Sequence, residues 1–372
     1  MSRIVQVANF VGPHSGGIRT VLANLAAGYA CAGHEVLQIV PGEKRRRTRH
    51  DWGERLELPG HVLPGTGYQV LTVRAVAPAL AAGTHRLEVH DRTTLRGLGA
   101  FARRAGIGSL VVSHERLDRL VEQWTRNRFP ARRLADASNK RLSAEFDAVV
   151  CTTDWAAAEF QRLSVPNLSV VPLGVDHVRF SPRAAEHAHW RRFAPDGAAL
   201  LAMAIRLSPE KRPAIAVDTV RQLLERERPA HLLIAGDGPL RGRLERQARG
   251  LPITFLGHLP GDEVAAVLAS ADVALAPGPV ETFGLAALEA LACGTPVVVN
   301  RRSALPSVVG TAGRAADGCG TAFADAVQKV LAQPAARTGA AARTRALEFD
   351  WARTVAGFLA VHGLTTPSAV AS

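Results

Sequence analysis

The stretch from Ala271 to Val299 constrains this chain more than any other. Ala271–Ala276 is apolar and of strand length; Pro277-Gly278-Pro279-Val280 and Glu281-Thr282-Phe283-Gly284 lead into a helix-length run, and Cys293-Gly294-Thr295-Pro296 leads on into Val297-Val298-Val299. A strand, a tight loop, a helix and a second apolar strand make an α/β unit. Glu281 falls on the loop before the helix and Glu289 a turn or more inside it. The first helical N–H groups, among them those of Phe283, Gly284 and Leu285, lack partners within the helix and attract anions. Taken alone, Glu281 reads as a helix-terminal acid favoured by the macrodipole and Glu289 as a solvated helix residue. The apolar run after Glu289 argues for burial instead, and a carboxylate facing inward needs neutral donors such as sugar hydroxyls. The stretch reads as a site for a sugar nucleotide.

At 372 residues the chain suits two domains of about 150 to 200 residues each. An apolar fraction of 47% with 21% charged residues is that of a globular protein, not a disordered one. Cys31, Cys151, Cys293 and Cys319 show no close pairing, which suggests neither a zinc site nor a disulfide framework and fits a reducing cytoplasm. Met1–Phe10 reads as a first strand and not as a signal peptide, and no apolar run approaches the roughly 20 residues of a membrane span. Any membrane role is therefore expected to be peripheral. The net charge of +12 is uneven: residues 1–170 hold 23 Lys and Arg against 15 Asp and Glu, and the rest 22 against 18. Nucleic acid, an anionic membrane or an acidic substrate each suits a basic first half, as does an Arg-rich G+C-biased genome. Nucleic acid lacks a recognisable reader such as a helix-turn-helix.

Along the chain, Gly16-Gly17 sits where a loop enters a helix, either as a tight turn or as a place where a phosphate approaches backbone. Lys44–His50 is the densest basic run and reads as a loop, either simply solvated or in contact with lipid phosphates. Leu87–Asp91 reads as a strand ending in polar residues, as strands do at ligand crevices. Leu110–Ser113 is another, ending at His114-Glu115-Arg116, and His114 is either a strand-end cap or a site residue. Asp118–Asn139 is Arg-rich and helical, with a solvated face, and Leu173–Asp176 is a hinge. Ala199–Ala204 delivers Arg206, while Pro209–Pro213 opens a helix, so that Arg206 and Lys211 either converge on a diphosphate or form a surface pair. A final helix is expected over Arg345–Leu359.

Two glutamates with seven residues between them, Phe-Gly soon after the first and Cys-Gly-Thr-Pro-Val-Val after the second, resemble the donor motif of retaining GT-B glycosyltransferases. Arg206–Lys211, Ala235–Leu240 and Val171–Asp176 resemble three further landmarks of that family, so the likeness spans nearly the whole chain. It implies two Rossmann-like α/β domains facing each other across a donor/acceptor cleft. These are residues 1–174 on the acceptor side, residues 175–344 binding the nucleotide-sugar, and residues 345–372 as a helix crossing back, with a flexible tail. It implies that Glu281 orients sugar hydroxyls, that Glu289 grips the ribose, and that Arg206, Lys211 and the Phe283–Leu285 backbone stabilise the departing diphosphate. It implies that Gly16-Gly17 is the donor loop, that His114 contacts the transferred sugar, that the Gly257–Gly261 loop holds the base, and that no metal takes part. Ile205 departs from the pattern by placing a branched side chain where the family commonly has glycine before the arginine.

Ser113–Leu120, Val150–Thr153 and Ala274–Pro279 are most similar to actinobacterial enzymes that transfer mannose from GDP-mannose to a phosphatidylinositol mannoside. The partners expected are therefore GDP-mannose and an anionic lipid at the inner face of the membrane, with no nucleic acid. The rivals are a transferase with a soluble acceptor, an epimerase of the same fold, and a non-catalytic sugar-nucleotide binder. An epimerase would need an acid and base pair that the sequence does not reveal.

Overall fold

The structure is a computed structural model in which residues 1–12, 16–63, 68–80, 83–125, 130–185 and 190–364 are described. The chain forms two compact units, Met1–Gly174 joined by Trp351–Ser372, and Val175–Asp350.

The first unit runs β1 (Arg3–Val7), α1 (Gly16–Cys31), β2 (Glu35–Gly42), β3 (Arg46–His50), β4 (Gly53–Pro59), β5 (His61–Leu63), β6 (Tyr68–Val70) and α2 (Val73–Leu80). It continues with β7 (Arg86–Val89), α3 (Gly97–Arg104), β8 (Gly108–Ser113), α4 (Leu117–Thr125), α5 (Ala131–Glu145), β9 (Ala148–Cys151), α6 (Asp154–Gln161) and β10 (Leu168–Val170). Its main sheet has the order β10-β9-β8-β7-β1-β2-β4-β3. Every pairing is parallel except that of β3 with β4. The inner strands read as apolar runs because helices cover both faces of such sheets. Their side chains join Leu98, Leu142, Phe146 and Phe160 in one core.

The basic run is not a loop. Arg46–His50 is the edge strand of a hairpin, and its Arg47 and Arg49 lie 3.1 and 3.9 Å from Glu54 on β4. A charged edge strand resists pairing with another chain, which is one way a sheet protects an open edge.

The second unit contains β11 (Ala199–Ala204), α7 (Ala214–Glu225), β12 (Ala230–Ala235), α8 (Arg241–Gln247), β13 (Ile253–Gly257), α9 (Gly261–Ser270) and β14 (Val273–Ala276). Then come α10 (Leu285–Ala292), β15 (Val297–Asn300), α11 (Leu305–Val309), β16 (Gly313–Ala316), α12 (Gly320–Leu331) and α13 (Ala335–Ala346). Six parallel strands in the order β13-β12-β11-β14-β15-β16 put β11 and β14 side by side at the centre. Strand order reverses there, and in open α/β sheets ligands bind at the carboxyl ends of strands at such a switch point.

Two further expectations on helices need correction. Pro209 does not open α7: Pro209–Lys211 is a 3₁₀ turn, Arg212 is left-handed at φ 47°, and α7 starts only after Pro213. Proline disfavours the helical conformation in the residue before it, so Lys211 is left on the turn ahead of the helix. The helix expected over Arg345–Leu359 is two helices, α13 and α14 (Trp351–Val361). Between them Phe349 meets Phe283 edge-to-face at 5.8 Å, and Asp350 bridges to Val175.

Helix α14 packs on α1 in the first unit, where Thr354 donates a hydrogen bond to the Pro172 carbonyl at 2.8 Å. Gly28 makes the close approach possible, since a Cβ there would stand 2.3 Å from a Val355 methyl. Replacing Gly28 by Val is expected to destabilise the first unit by about 1–3 kcal/mol through overpacking. A lower melting temperature with earlier proteolytic loss of the C-terminal segment would show it, and unchanged protease resistance would count against this packing.

Candidate active site

The loops after β11 and β12 lie against each other. Ile205 and Leu207 donate their N–H groups to the carbonyls of Ala235 and Asp237 at 3.1 and 2.9 Å. A Cβ on Gly236 would stand 1.9 Å from the Ile205 carbonyl oxygen, and one on Gly238 would stand 2.5 Å from that of Leu207. The Gly-Asp-Gly turn is thus a buttress that fixes the loop carrying Arg206, with the Asp237 carboxylate bonded to its neighbour's N–H and to Arg241. The branched side chain of Ile205 packs at the margin of the second unit's core.

Lys211 and Glu281, seventy residues apart, meet at 2.5 Å between Nζ and Oε1, both partly shielded from solvent. Gly278 lets them close, because a Cβ there would lie 3.3 Å from Glu281 Oε1 and 3.5 Å from the Lys211 Cα. Asn300, buried at the end of β15, donates to the Pro277 carbonyl at 2.9 Å and holds the other side of this loop. Sequence reasoning missed Asn300; its signal was a polar residue closing the apolar run Val297–Val299.

Gly284 precedes α10 at φ 76°, a conformation that glycine adopts without strain, and a Cβ there would sit 2.2 Å from a Leu305 methyl. Phe283 is buried against Phe349, so the chain turns sharply and the N–H groups of Phe283, Gly284 and Leu285 stand at the start of the helix. None of the three takes a hydrogen-bond partner among the described residues. Glu289 is half-buried on the second turn of α10. Burial pushes its pKa up to about 7, against the opposing pull of Arg179.

The first unit holds His114, half-buried just after β8. Burial pushes its pKa down to about 3, His90 adds to this, and Glu88 opposes it. The residues around it are clamped by Arg92, a buried side chain that sequence reasoning did not single out. Its guanidinium bonds Ser113 Oγ at 2.8 Å, the Glu115 carbonyl at 3.1 Å, and the Glu159 and Asn139 side chains. Glu159 in turn accepts from the N–H groups of Leu117 and Asp118 at 3.3 Å, capping α4. Burial acts upward on the Asp118 carboxyl, but Arg116 and Arg162 outweigh it and hold its pKa below the usual value. Asp118 and Asn139, the ends of the Arg-rich segment, are therefore scaffold, whereas Arg132 and Arg133 are solvated as expected, and Arg126 and Arg128 lie outside the described residues.

Gly16 and Gly17 open α1, and a Cβ on Gly16 would meet nothing within 4 Å. Among the described residues no three His, Cys, Asp or Glu side chains gather as a metal site. The second unit thus brings together a cation–carboxylate pair, a helix start with unpartnered N–H groups and a carboxyl poised near neutrality. Such a set suits a neutral polyol joined to a diphosphate.

Comparison with known proteins agrees with that chemistry. Residues 198–333 match the family described as glycosyl transferases group 1, and residues 16–174 match a glycosyl transferase 4-like domain. The chain is 46% identical, over 97% of its length and 96% of the relative's, to a GDP-mannose-dependent alpha-(1-6)-phosphatidylinositol dimannoside mannosyltransferase of Mycobacterium tuberculosis. It is 30% identical to the corresponding monomannoside mannosyltransferase of Mycolicibacterium smegmatis, over 93% of this chain and 94% of the relative. Sucrose-phosphate synthase from Thermosynechococcus elongatus superimposes with a TM-score of 0.80 at 18% identity, covering 98% of both chains.

The Glu289 carboxyl yields a stability test. Its pKa in the folded protein lies above that of an ordinary carboxyl, so the folded state holds the proton more tightly, and stability falls as pH rises from the usual carboxylate range to about 7. Glu289→Gln is expected to melt above the unsubstituted protein at pH 8 and close to it at pH 5. Thermal melts across that range check the trend, and a gap that does not widen with pH would refute it.

Proposed function

The chain belongs to the group 1 glycosyl transferases of GT-B fold, and from that premise we propose that it transfers mannose from GDP-mannose to a phosphatidylinositol mannoside with retention of configuration. The observation that carries this reading is 46% identity across 97% of the chain to an enzyme named for that reaction. In the transfer, the bond from the sugar's anomeric carbon to the diphosphate oxygen breaks and one to the acceptor hydroxyl forms. The acceptor's proton passes to the departing diphosphate, so no protein base is needed.

Arg206 offers the diphosphate a forked donor and Lys211 a point charge, with the α10 start adding N–H groups where negative charge grows. Lys211 has three N–H donors, so it can serve a phosphate oxygen without leaving Glu281. Glu281, aligned by that pair, accepts from sugar hydroxyls. Glu289 accepts from the ribose, and hydrogen bonds to its charged form lower its pKa when the donor binds. His114 and the Gly16-Gly17 backbone complete the contacts on the first unit's side.

The acceptor is anionic, and the β3 edge strand with its preceding turn exposes Lys44, Arg45, Arg46, Arg47 and Arg49. Glu54 offsets part of that charge. Each exposed cation near an anionic leaflet contributes about 1 kcal/mol. No helix among the described residues is long and apolar enough to cross a membrane, so contact through this basic strand is proposed, at the cytoplasmic face.

Incubation with GDP-mannose and phosphatidylinositol mono- or dimannoside is expected to give a lipid one hexose heavier, with turnover reduced at least about a hundredfold in Lys211→Ala. Stabilisation by UDP and not by guanine nucleotides would sink the mannose donor, and transfer to soluble acceptors alone would favour the natural-product rival. Flotation with anionic vesicles is expected to weaken with salt and with the double substitution Arg45→Glu and Arg46→Glu. Equal binding to neutral vesicles would remove the lipid-surface reading.

A further inference from the structure

Behind His114 the first unit buries a chain of polar side chains that the reaction as described does not use. Glu88 on β7 is fully buried and forms no ion pair with Lys or Arg among the described residues. Its Oε1 accepts from Gln6 Nε2 and His90 Nε2, both at 2.7 Å, and its Oε2 from the Tyr29 hydroxyl at 2.6 Å and His362 Nε2 at 3.1 Å. Gln6 is held in turn by Gln38, whose amide donates to its Oε1 at 3.0 Å. On the other side of the same ring, His90 Nδ1 lies 2.8 Å from His114 Nε2, with the two imidazoles nearly parallel. The network therefore runs without a gap from a buried carboxylate to the histidine at the end of β8.

The order of protons along it follows from what each atom can do. Burial pushes the Glu88 carboxyl upward, but the hydrogen bonds from His362 and His90 outweigh it and keep the group well below the usual carboxylate range. Burial and the Glu88 charge push Tyr29 well up, so it stays a donor. An ionised carboxylate only accepts, so His90 Nε2 must carry a proton. Four donated hydrogen bonds fill its lone-pair sites, and a carboxylate so satisfied stays charged without a cation. With a single ring proton, on Nε2, His90 presents Nδ1 as a lone pair. The 2.8 Å contact closes only if His114 donates through Nε2.

We propose that Glu88 and His90 are positioning residues that hold His114 as its Nε2–H tautomer, so that Nδ1 accepts a hydrogen bond from a hydroxyl of the transferred sugar. The inference rests on the reading of His114 as a sugar contact and adds to it the direction of the hydrogen bond and the groups that set it. Second-layer partners of this kind act by fixing a ring's orientation and tautomer.

Two-bond proton–nitrogen spectra of full-length protein labelled with nitrogen-15 histidine read the tautomer directly, with the His114 signals identified by their loss in His114→Ala. Nε2 is expected to be protonated and Nδ1 bare at neutral pH. His90→Leu is expected to release this preference and lower kcat about 10- to 100-fold, with a much smaller effect on donor KM. His90→Gln is the rescue: its amide donates to Glu88 and accepts from His114, so it should restore the tautomer and most of the lost turnover, which a merely structural role would not require. His114 protonated on Nδ1, or His90→Leu turning over like the unsubstituted enzyme, would overturn the proposal. Wild-type transfer by His114→Ala would instead remove the sugar contact on which it rests.

Discussion

Polar side chains at the ends of buried parallel strands have no water to turn to, and the surroundings of His114 in the first unit are shaped by how they are paired. Arg92 and Glu159 are both buried, and each would strand the other as an uncompensated charge if it were lost, at a cost of about 3–5 kcal/mol. Both also reach the segment around His114: the guanidinium donates to Ser113 and the Glu115 carbonyl, and the carboxylate accepts from the first N–H groups of α4. Asn9 does similar work one strand away, joining the Leu71 backbone to the Asp91 carboxylate. A histidine held in this way has little freedom to lose when a ligand arrives.

The second unit reaches the same rigidity by backbone contact. Gly236 and Gly238 press against the carbonyls of Ile205 and Leu207, Gly284 admits Leu305 where a side chain would intrude, and Gly278 leaves Glu281 room beside it. Arg206 and Lys211 are thereby carried on short, tightly backed loops. The Lys211–Glu281 pair keeps both charges compensated within the unit, which lets two ionised groups stand together on a partly shielded surface.

Fold and chemistry draw on different evidence. Sucrose-phosphate synthase shares the architecture at 18% identity, which speaks for the GT-B fold alone. The mannose donor and the lipid acceptor rest on sequence relatives, and the basic β3 edge supplies an independent physical reason why an anionic surface suits the first unit.

The sequence by itself determined the α/β class and the likeness to a donor motif, because apolar runs of strand length separated by helices leave few arrangements and because Glu281, Phe283, Gly284, Leu285 and Glu289 fall at fixed spacing along one local unit. It also marked His114, and it showed Leu87–Asp91 as a strand with polar residues at its end. Tertiary structure decided what those residues touch. The pairing of Lys211 with Glu281, the support of His114 by Arg92, and the path from Glu88 through His90 to His114 join positions that are distant or alternate in the chain. The basic run became a strand through its ladder with β4, and the final helix is interrupted where Phe349 meets Phe283 and Asp350 bridges to Val175. Spacing along a chain reports local periodicity, whereas partners for buried polar groups are assigned by packing between segments, which no local pattern encodes.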